Sequence, residues 1–157
     1  MKQRVYLETT VISYLAAHTS RDLMIRAHQE VTRNWWLKRR KDLELMVSDV
    51  VLEEIGRGDK TAAAERLAYV RNLNPVLSTE PGIALARLLL KQKAVPLVAE
   101  VDALHIGVAA VHGAEFLLTW NCRHIANAEM RAKIGAVCRN ARYEPPVICT
   151  PEELMGD

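Results

Sequence analysis

The sequence predicts an α/β fold built on a parallel sheet covered on both faces, and three observations carry that expectation. Short β-prone runs alternate along the chain with stretches of helical periodicity. Phe116-Leu117-Leu118 is continuously apolar rather than alternating, which suits a strand buried on both faces of a parallel sheet. Just before it, Ala103, Gly107 and Ala110 repeat at i, i+4 and i+7, a small-residue stripe that lets a helix lie close against a sheet. Gly113 is placed to end that helix in the left-handed conformation.

The elements follow in order. Arg4 to Leu7 reads as a first strand that ends on Glu8, with Thr9 and Thr10 as caps for the helical turn of Val11, Ile12, Tyr14 and Leu15. A longer helix from about Asp22 to Arg40 repeats Met24, Ala27, Val31 and Trp35 and closes in the basic run Lys38-Arg39-Arg40-Lys41. That run reads either as a solvated helix end complementing the dipole or as an RNA-facing patch. Trp35 and Trp36 are adjacent on this helix, so the second is expected to face outward as a contact or stacking residue. Leu43 to Val47 is a second strand, and Ser48 or Asp49 caps the helix that carries Glu53 and Glu54. At about 100° per residue, Glu54 borders the apolar face of that helix while Glu53 points to water.

Gly56 and Gly58 close this segment, and a helix is expected from Thr61 to Leu73. Pro75-Val76-Leu77 is a short strand or extended link, and Thr79-Glu80-Pro81 opens a helix through Leu90, since proline is tolerated in a first turn. Asp102 falls near the start of the next helix, where its carboxylate meets the positive end of the dipole. Thr119-Trp120-Asn121 is the exit of the strand that follows, so Thr119, Asn121 and His124 are candidates for a site beyond the strand's carboxyl end that Asp102 also reaches. Asn127 begins a helix with Met130, Ile134 and Val137 on one side, and Val147 to Cys149 is a final edge strand.

The chain of 157 residues is one domain long and half hydrophobic, ample for a single core spanning residues 1–157. A formal charge of +2 permits nucleic-acid binding without arguing for it. Three cysteines with no C-x-x-C pair point to reduced thiols and a cytoplasmic setting. Neither a signal peptide nor a membrane span is expected.

Glu8, Glu54 and Asp102 are far apart in sequence but fall at the same end of such a sheet. Gathering carboxylates in a crevice is costly through mutual repulsion, and a hard divalent cation is the usual compensation, here Mg²⁺ or Mn²⁺. Zinc is disfavoured because Cys122 and His124 have no second pair of soft ligands at zinc spacing. His105 and His112 read as core-edge or surface histidines.

Four blocks then carry a family resemblance: Leu7 to Leu15 (LETTVISYL), Val47 to Ile55 (VSDVVLEEI), Asp102 to Ile106 (DALHI) and Leu118 to Asn127 (LTWNCRHIAN). In their order and spacing, together with Thr150-Pro151-Glu152-Glu153-Leu154, they resemble a PIN-domain protein of the VapC toxin type over nearly the whole chain. The resemblance implies a three-layer α/β/α sandwich around a central parallel β-sheet and a metal-dependent endoribonuclease activity on RNA. It also implies a cognate antitoxin protein and a homodimer. Its acidic positions fall on Glu8, Glu54 and Asp102, with Thr119 and Asn121 at the strand-tip hydroxyl and fourth acidic position, and Thr10, Thr119 and His124 facing substrate. Glu8 stands where the family has aspartate, and the neutral Asn121 where it often has another. Those departures keep open an alternative, a catalytically weakened module that binds RNA or a protein partner. A receiver-like phospho-acceptor would want an acidic pair after the first strand and a lysine after the last, and this chain has neither.

Overall fold

The computed structural model describes residues 1–157 and contains four strands and seven helices. The strands are β1 (Gln3–Leu7), β2 (Leu43–Met46), β3 (Phe116–Leu118) and β4 (Val147–Cys149). They form one wholly parallel sheet in the order β2-β1-β3-β4. Val5, Tyr6, Leu7, Leu117 and Leu118 have no solvent exposure, which is the burial on both faces that a parallel sheet requires. The strand after Asp102 is the third in the chain. Residues 75–77 contribute only an isolated bridge between Val76 and Ser48.

Helices α1 (Thr9–Ala16) and α2 (Leu23–Arg39) connect β1 to β2. Helices α3 (Asp49–Ile55), α4 (Lys60–Val70), α5 (Glu80–Lys91) and α6 (Glu100–Val111) connect β2 to β3, and α7 (Ala128–Asn140) connects β3 to β4. The first crossover leaves β1 toward β2, and the later ones run the opposite way across the sheet. Helices α1 to α4 pack on one another and α5 packs on α6 and α7, so two helical groups cover the sheet in the expected three-layer α/β/α sandwich. The reversal falls between β1 and β3, whose carboxyl ends open the crevice described below.

Local chemistry explains most helix starts. Asp22 caps Met24 and Ile25 amides at 2.9 and 3.0 Å, Ser48 caps Val51 at 3.2 Å, and Asn127 caps Glu129 at 3.0 Å. Asp49, the other candidate cap of α3, instead accepts from the Ser78 amide and hydroxyl and so anchors the 75–78 link. At α1 the cap is Glu8, not Thr9 or Thr10, because the glutamate is long enough to reach back to the Thr10 amide at 3.0 Å. Helix α4 ends at Val70, three residues before the expected Leu73. Gly113 ends α6 with φ +70°, as expected.

Three packing expectations are corrected. Trp36 is not an outward residue. It is 8% exposed, set edge-on to Tyr69 of α4 with centroids 5.6 Å apart and covered by the Arg40 guanidinium, while Trp35 is fully buried beside it. Met24 and Ala27 of α2 are exposed, and this helix buries Gln29 and Thr32 along with the two tryptophans. Gln29 is satisfied by the His18 carbonyl and Ser20 amide, and Thr32 by the His28 carbonyl and Trp120 indole, so these polar side chains are buried without loss. The small-residue stripe of α6 meets a helix rather than the sheet. A Cβ on Gly107 would overlap the Gly82 carbonyl oxygen of α5.

Candidate active site

Beyond the carboxyl ends of β1 and β3, Glu8 and Thr119 face each other across the sheet's switch point. The Glu8 amide donates to the Leu118 carbonyl at 3.0 Å, which fixes the two strand tips side by side. Glu8 is only 3% exposed. Its Oε2 accepts from the Thr10 amide at 3.0 Å, the Thr119 hydroxyl at 2.8 Å and, more closely, the Thr10 hydroxyl. Oε1 accepts nothing, yet it is not among the side-chain atoms sealed from solvent without a partner. It therefore opens onto the crevice. Burial pushes the Glu8 carboxyl above its ordinary value, with His105 and the threonine donors opposing but not reversing the shift.

Trp120 holds this strand exit in place. In an extended segment Thr119 and Asn121 share one side and Trp120 takes the other. The Trp120 amide donates to Thr10 Oγ1 at 2.9 Å, its indole N–H to Thr32 Oγ1 at 2.7 Å, and its ring stacks on His28 with centroids 4.0 Å apart. Asn121 spans the two walls of the crevice. Its amide N–H meets Thr119 Oγ1 at 2.9 Å, its Oδ1 accepts from the His124 amide at 3.0 Å, and its Nδ2 donates to Asp102 Oδ1 at 3.1 Å.

Asp102 is the third residue of α6, so the helix dipole favours its charge. Its second oxygen, Oδ2, stands 3.1 Å from His124 Nδ1. Glu54 lies on the border of α3 that the sequence indicated, with its side chain 29% exposed. Glu53 points to solvent in a pair with Arg57, an exposed contact that contributes little. Glu54 Oε1 accepts from the Thr9 hydroxyl at 2.7 Å and lies 2.5 Å from His105 Nε2. Burial pushes its carboxyl up, but the hydrogen bond and charge of His105, with help from Thr9 and Arg57, outweigh burial and leave it below the ordinary value.

The sequence candidates fall into three hydrogen-bonded groups at the carboxyl end of the sheet: Glu8 with Thr10 and Thr119, Asp102 of α6 with Asn121 and His124 from the segment after β3, and Glu54 of α3 with Thr9 and His105. The Thr10 and Thr119 hydroxyls are turned to Glu8. The residues sequence reasoning missed are His105, which is fully buried rather than at a core edge, and Thr9, which reaches Glu54 rather than capping α1. One signal was present for His105: it stands three residues after Asp102, on the same face of its helix. The basic run Lys38 to Lys41 lies at the opposite end of the sheet. Lys41 precedes β2 and its carbonyl accepts a 2.6 Å hydrogen bond from Lys2, which precedes β1, so the run lies at the amino ends of these strands.

The donor set was tested against a divalent cation. Glu8, Glu54 and Asp102 offer hard oxygens, and in both glutamates every protein donor falls on one oxygen, leaving Glu8 Oε1 and Glu54 Oε2 free of hydrogen bonds. Glu8 has no hydrogen bond from a cationic side chain. These features fit Mg²⁺ or Mn²⁺. As the side chains stand, no three Asp, Glu, His or Cys groups lie together at metal-ligand spacing, because each carboxylate is drawn onto a hydroxyl, amide or imidazole.

Comparison with known proteins gives two findings. The family model described as PIN domain matches residues 5–128. Among solved structures, a chain of VapBC2 from Rickettsia felis, bound to a DNA fragment from their promoter, superposes with a TM-score of 0.61 at 16% identity. The match covers 94% of this chain and 98% of that one, a likeness of fold. No curated protein matches the sequence. No helix is long and apolar enough to cross a membrane.

Proposed function

The chain belongs to the PIN-domain family, and from that premise we propose that it is a Mg²⁺- or Mn²⁺-dependent endoribonuclease, the toxin of a type II toxin-antitoxin pair. The observation that carries this reading is Glu8: a carboxylate buried at the sheet's switch point, hydrogen-bonded only by neutral donors and all on one oxygen, with burial outweighing them and His105.

Glu8, Glu54 and Asp102 would hold the cation, which when bound lowers the pKa of a water, orients the phosphodiester and stabilises charge in the displacement. The chain's own groups prepare that state. Thr10 and Thr119 lock Glu8, Asn121 holds Asp102 in place of a fourth acid, and His124 turns its Nδ1 to Asp102 beside the RNA path. An antitoxin and a second copy of the chain are the expected partners, with the cytoplasm as the setting. The exposed apolar side chains Leu23 and Met24 on α2, and Leu97 and Val98 ahead of α6, give such partners surface to cover.

The test is cleavage of generic RNA by the purified chain. Cleavage with Mn²⁺, abolished by EDTA and by Asp102→Asn with the fold retained, is the expected result. Cleavage that survives Asp102→Asn or EDTA removes the assignment, and metal binding without any cleavage favours the weakened binding module.

A further inference from the structure

Behind the crevice lies a dry chain of side chains that no acidic position of the family accounts for. His105 is 1% exposed and uses both ring nitrogens: Nε2 stands 2.5 Å from Glu54 Oε1 and Nδ1 stands 2.7 Å from the Tyr6 hydroxyl. The Tyr6 hydroxyl is in turn 2.7 Å from Ser48 Oγ, and that oxygen accepts the Val51 amide at the start of α3. Valence fixes the first direction. An ionised Glu54 only accepts, so Nε2 carries the hydrogen and donates to it. The other ring nitrogen shares a hydrogen bond with the Tyr6 hydroxyl, and that hydroxyl shares one with Ser48 Oγ. The side-chain polar atoms of Glu54 Oε1, His105, Tyr6 and Ser48 are all hydrogen-bonded, the condition under which such a network rigidifies its surroundings.

The three anchors belong to the three segments that carry the carboxylates. Tyr6 lies in β1 two residues before Glu8, Ser48 caps the helix of Glu54, and His105 follows Asp102 by three residues in α6. Both donors to Glu54, Thr9 and His105, occupy Oε1, so Oε2 is the oxygen left for the crevice.

We propose that His105 is a positioning residue for the metal-binding crevice: through Tyr6 and Ser48 it ties β1, α3 and α6 together and holds Glu54 with one chosen oxygen forward. The proposal rests on the nuclease reading above and adds to it a residue that touches neither metal nor substrate. A histidine that merely fills the core would affect stability alone.

The experiment is a Mn²⁺ titration of the full chain without RNA, followed by electron paramagnetic resonance, with thermal midpoints recorded alongside. His105→Leu is expected to weaken Mn²⁺ binding roughly tenfold to a hundredfold, the usual cost of losing a partner that orients a ligand. His105→Gln, which keeps an N–H donor for Glu54, recovers most of that loss, and Tyr6→Phe weakens binding by a smaller factor. His112→Gln, on the same helix but bonded to the Leu77 carbonyl, leaves it unchanged. A lowered midpoint with parental Mn²⁺ affinity in His105→Leu overturns the proposal. If that variant does not fold, parental affinity in Tyr6→Phe, which deletes a single oxygen, overturns it equally. Parent binding with unaffected variants removes this role alone, whereas a parent that binds no Mn²⁺ removes both this role and the nuclease reading.

Discussion

Glu8 and Glu54 sit at the same end of one sheet, each with all its hydrogen bonds on a single oxygen, yet their surroundings treat the negative charge in opposite ways. Around Glu8 every donor is neutral, the side chain is out of water, and burial dominates. Around Glu54 an imidazole and a hydroxyl more than offset a partial burial. The fold therefore favours the charged form of Glu54 and disfavours that of Glu8.

The largest effect should erase the contrast. Glu8→Gln and Glu54→Gln are both expected to lower single-turnover RNA cleavage by at least about a hundredfold, roughly 2.7 kcal/mol, because both supply charged oxygens to one cation. A variant that keeps parental cleavage removes its glutamate from the site.

Stability should separate the two. Glu8→Gln is expected to raise the thermal midpoint of the metal-free protein at neutral pH. Glu54→Gln, which weakens a charge-assisted hydrogen bond, should lower it by about 1–2 kcal/mol. For a domain of this size that is roughly 2–8 °C. The pH dependence follows from the directions of the shifts. The folded pKa of Glu8 is raised, so between the ordinary value and that raised value the folded state binds more protons than the unfolded one. Stability then falls as pH rises through the folded pKa, and the advantage of Glu8→Gln fades on acidification. The folded pKa of Glu54 is lowered, so its contribution is present above the ordinary carboxylate value and is lost as pH falls through the lower one. Midpoints measured across acidic to neutral pH check both, and parallel profiles for the two variants would erase the distinction.

A smaller effect concerns length. Glu8→Asp withdraws the carboxylate by one methylene from Thr10 and Thr119 while keeping the charge, so cleavage should fall within about tenfold, 1.4 kcal/mol. A larger loss would mean that the threonine contacts, not the charge, set activity. The smallest effect is expected at the other end of the sheet. Reversing Lys38 and Lys41 should change the slope of log affinity for RNA against log salt by less than about one unit, since these lysines lie beyond the amino ends of β1 and β2. A drop of one to two units would bring RNA to that end.

The contrast between the glutamates also marks how far the sequence could be read. Strand β3, the cap at Asn127 and the turn at Gly113 were legible because they depend on neighbouring residues and on period. The border position of Glu54 was legible from helical geometry for the same reason. The environment of Glu54 was not, since Thr9, His105 and Tyr6 reach it from three other elements. Trp36 defeated the periodicity argument because α2 is covered from a second side by Tyr69 of α4, and Gly107 pointed to a close neighbour without saying that it would be α5. The carboxylates themselves emerged from their places along the chain, whereas the opposite balance at Glu8 and Glu54 is a property of packing alone.

On the nuclease reading, a divalent cation completes the buried charge of Glu8. This is tested most directly by the Mn²⁺-induced shift of the thermal midpoint at neutral pH, in the parent and in Glu8→Gln. At about a hundred times the dissociation constant, Mn²⁺ should stabilise the parent by about 2.7 kcal/mol, a rise of roughly 5–11 °C. Glu8→Gln, already more stable without metal, should rise far less. Equal shifts in the two proteins would contradict the account, because Glu8 would then be a buried carboxylate with no part in holding the ion.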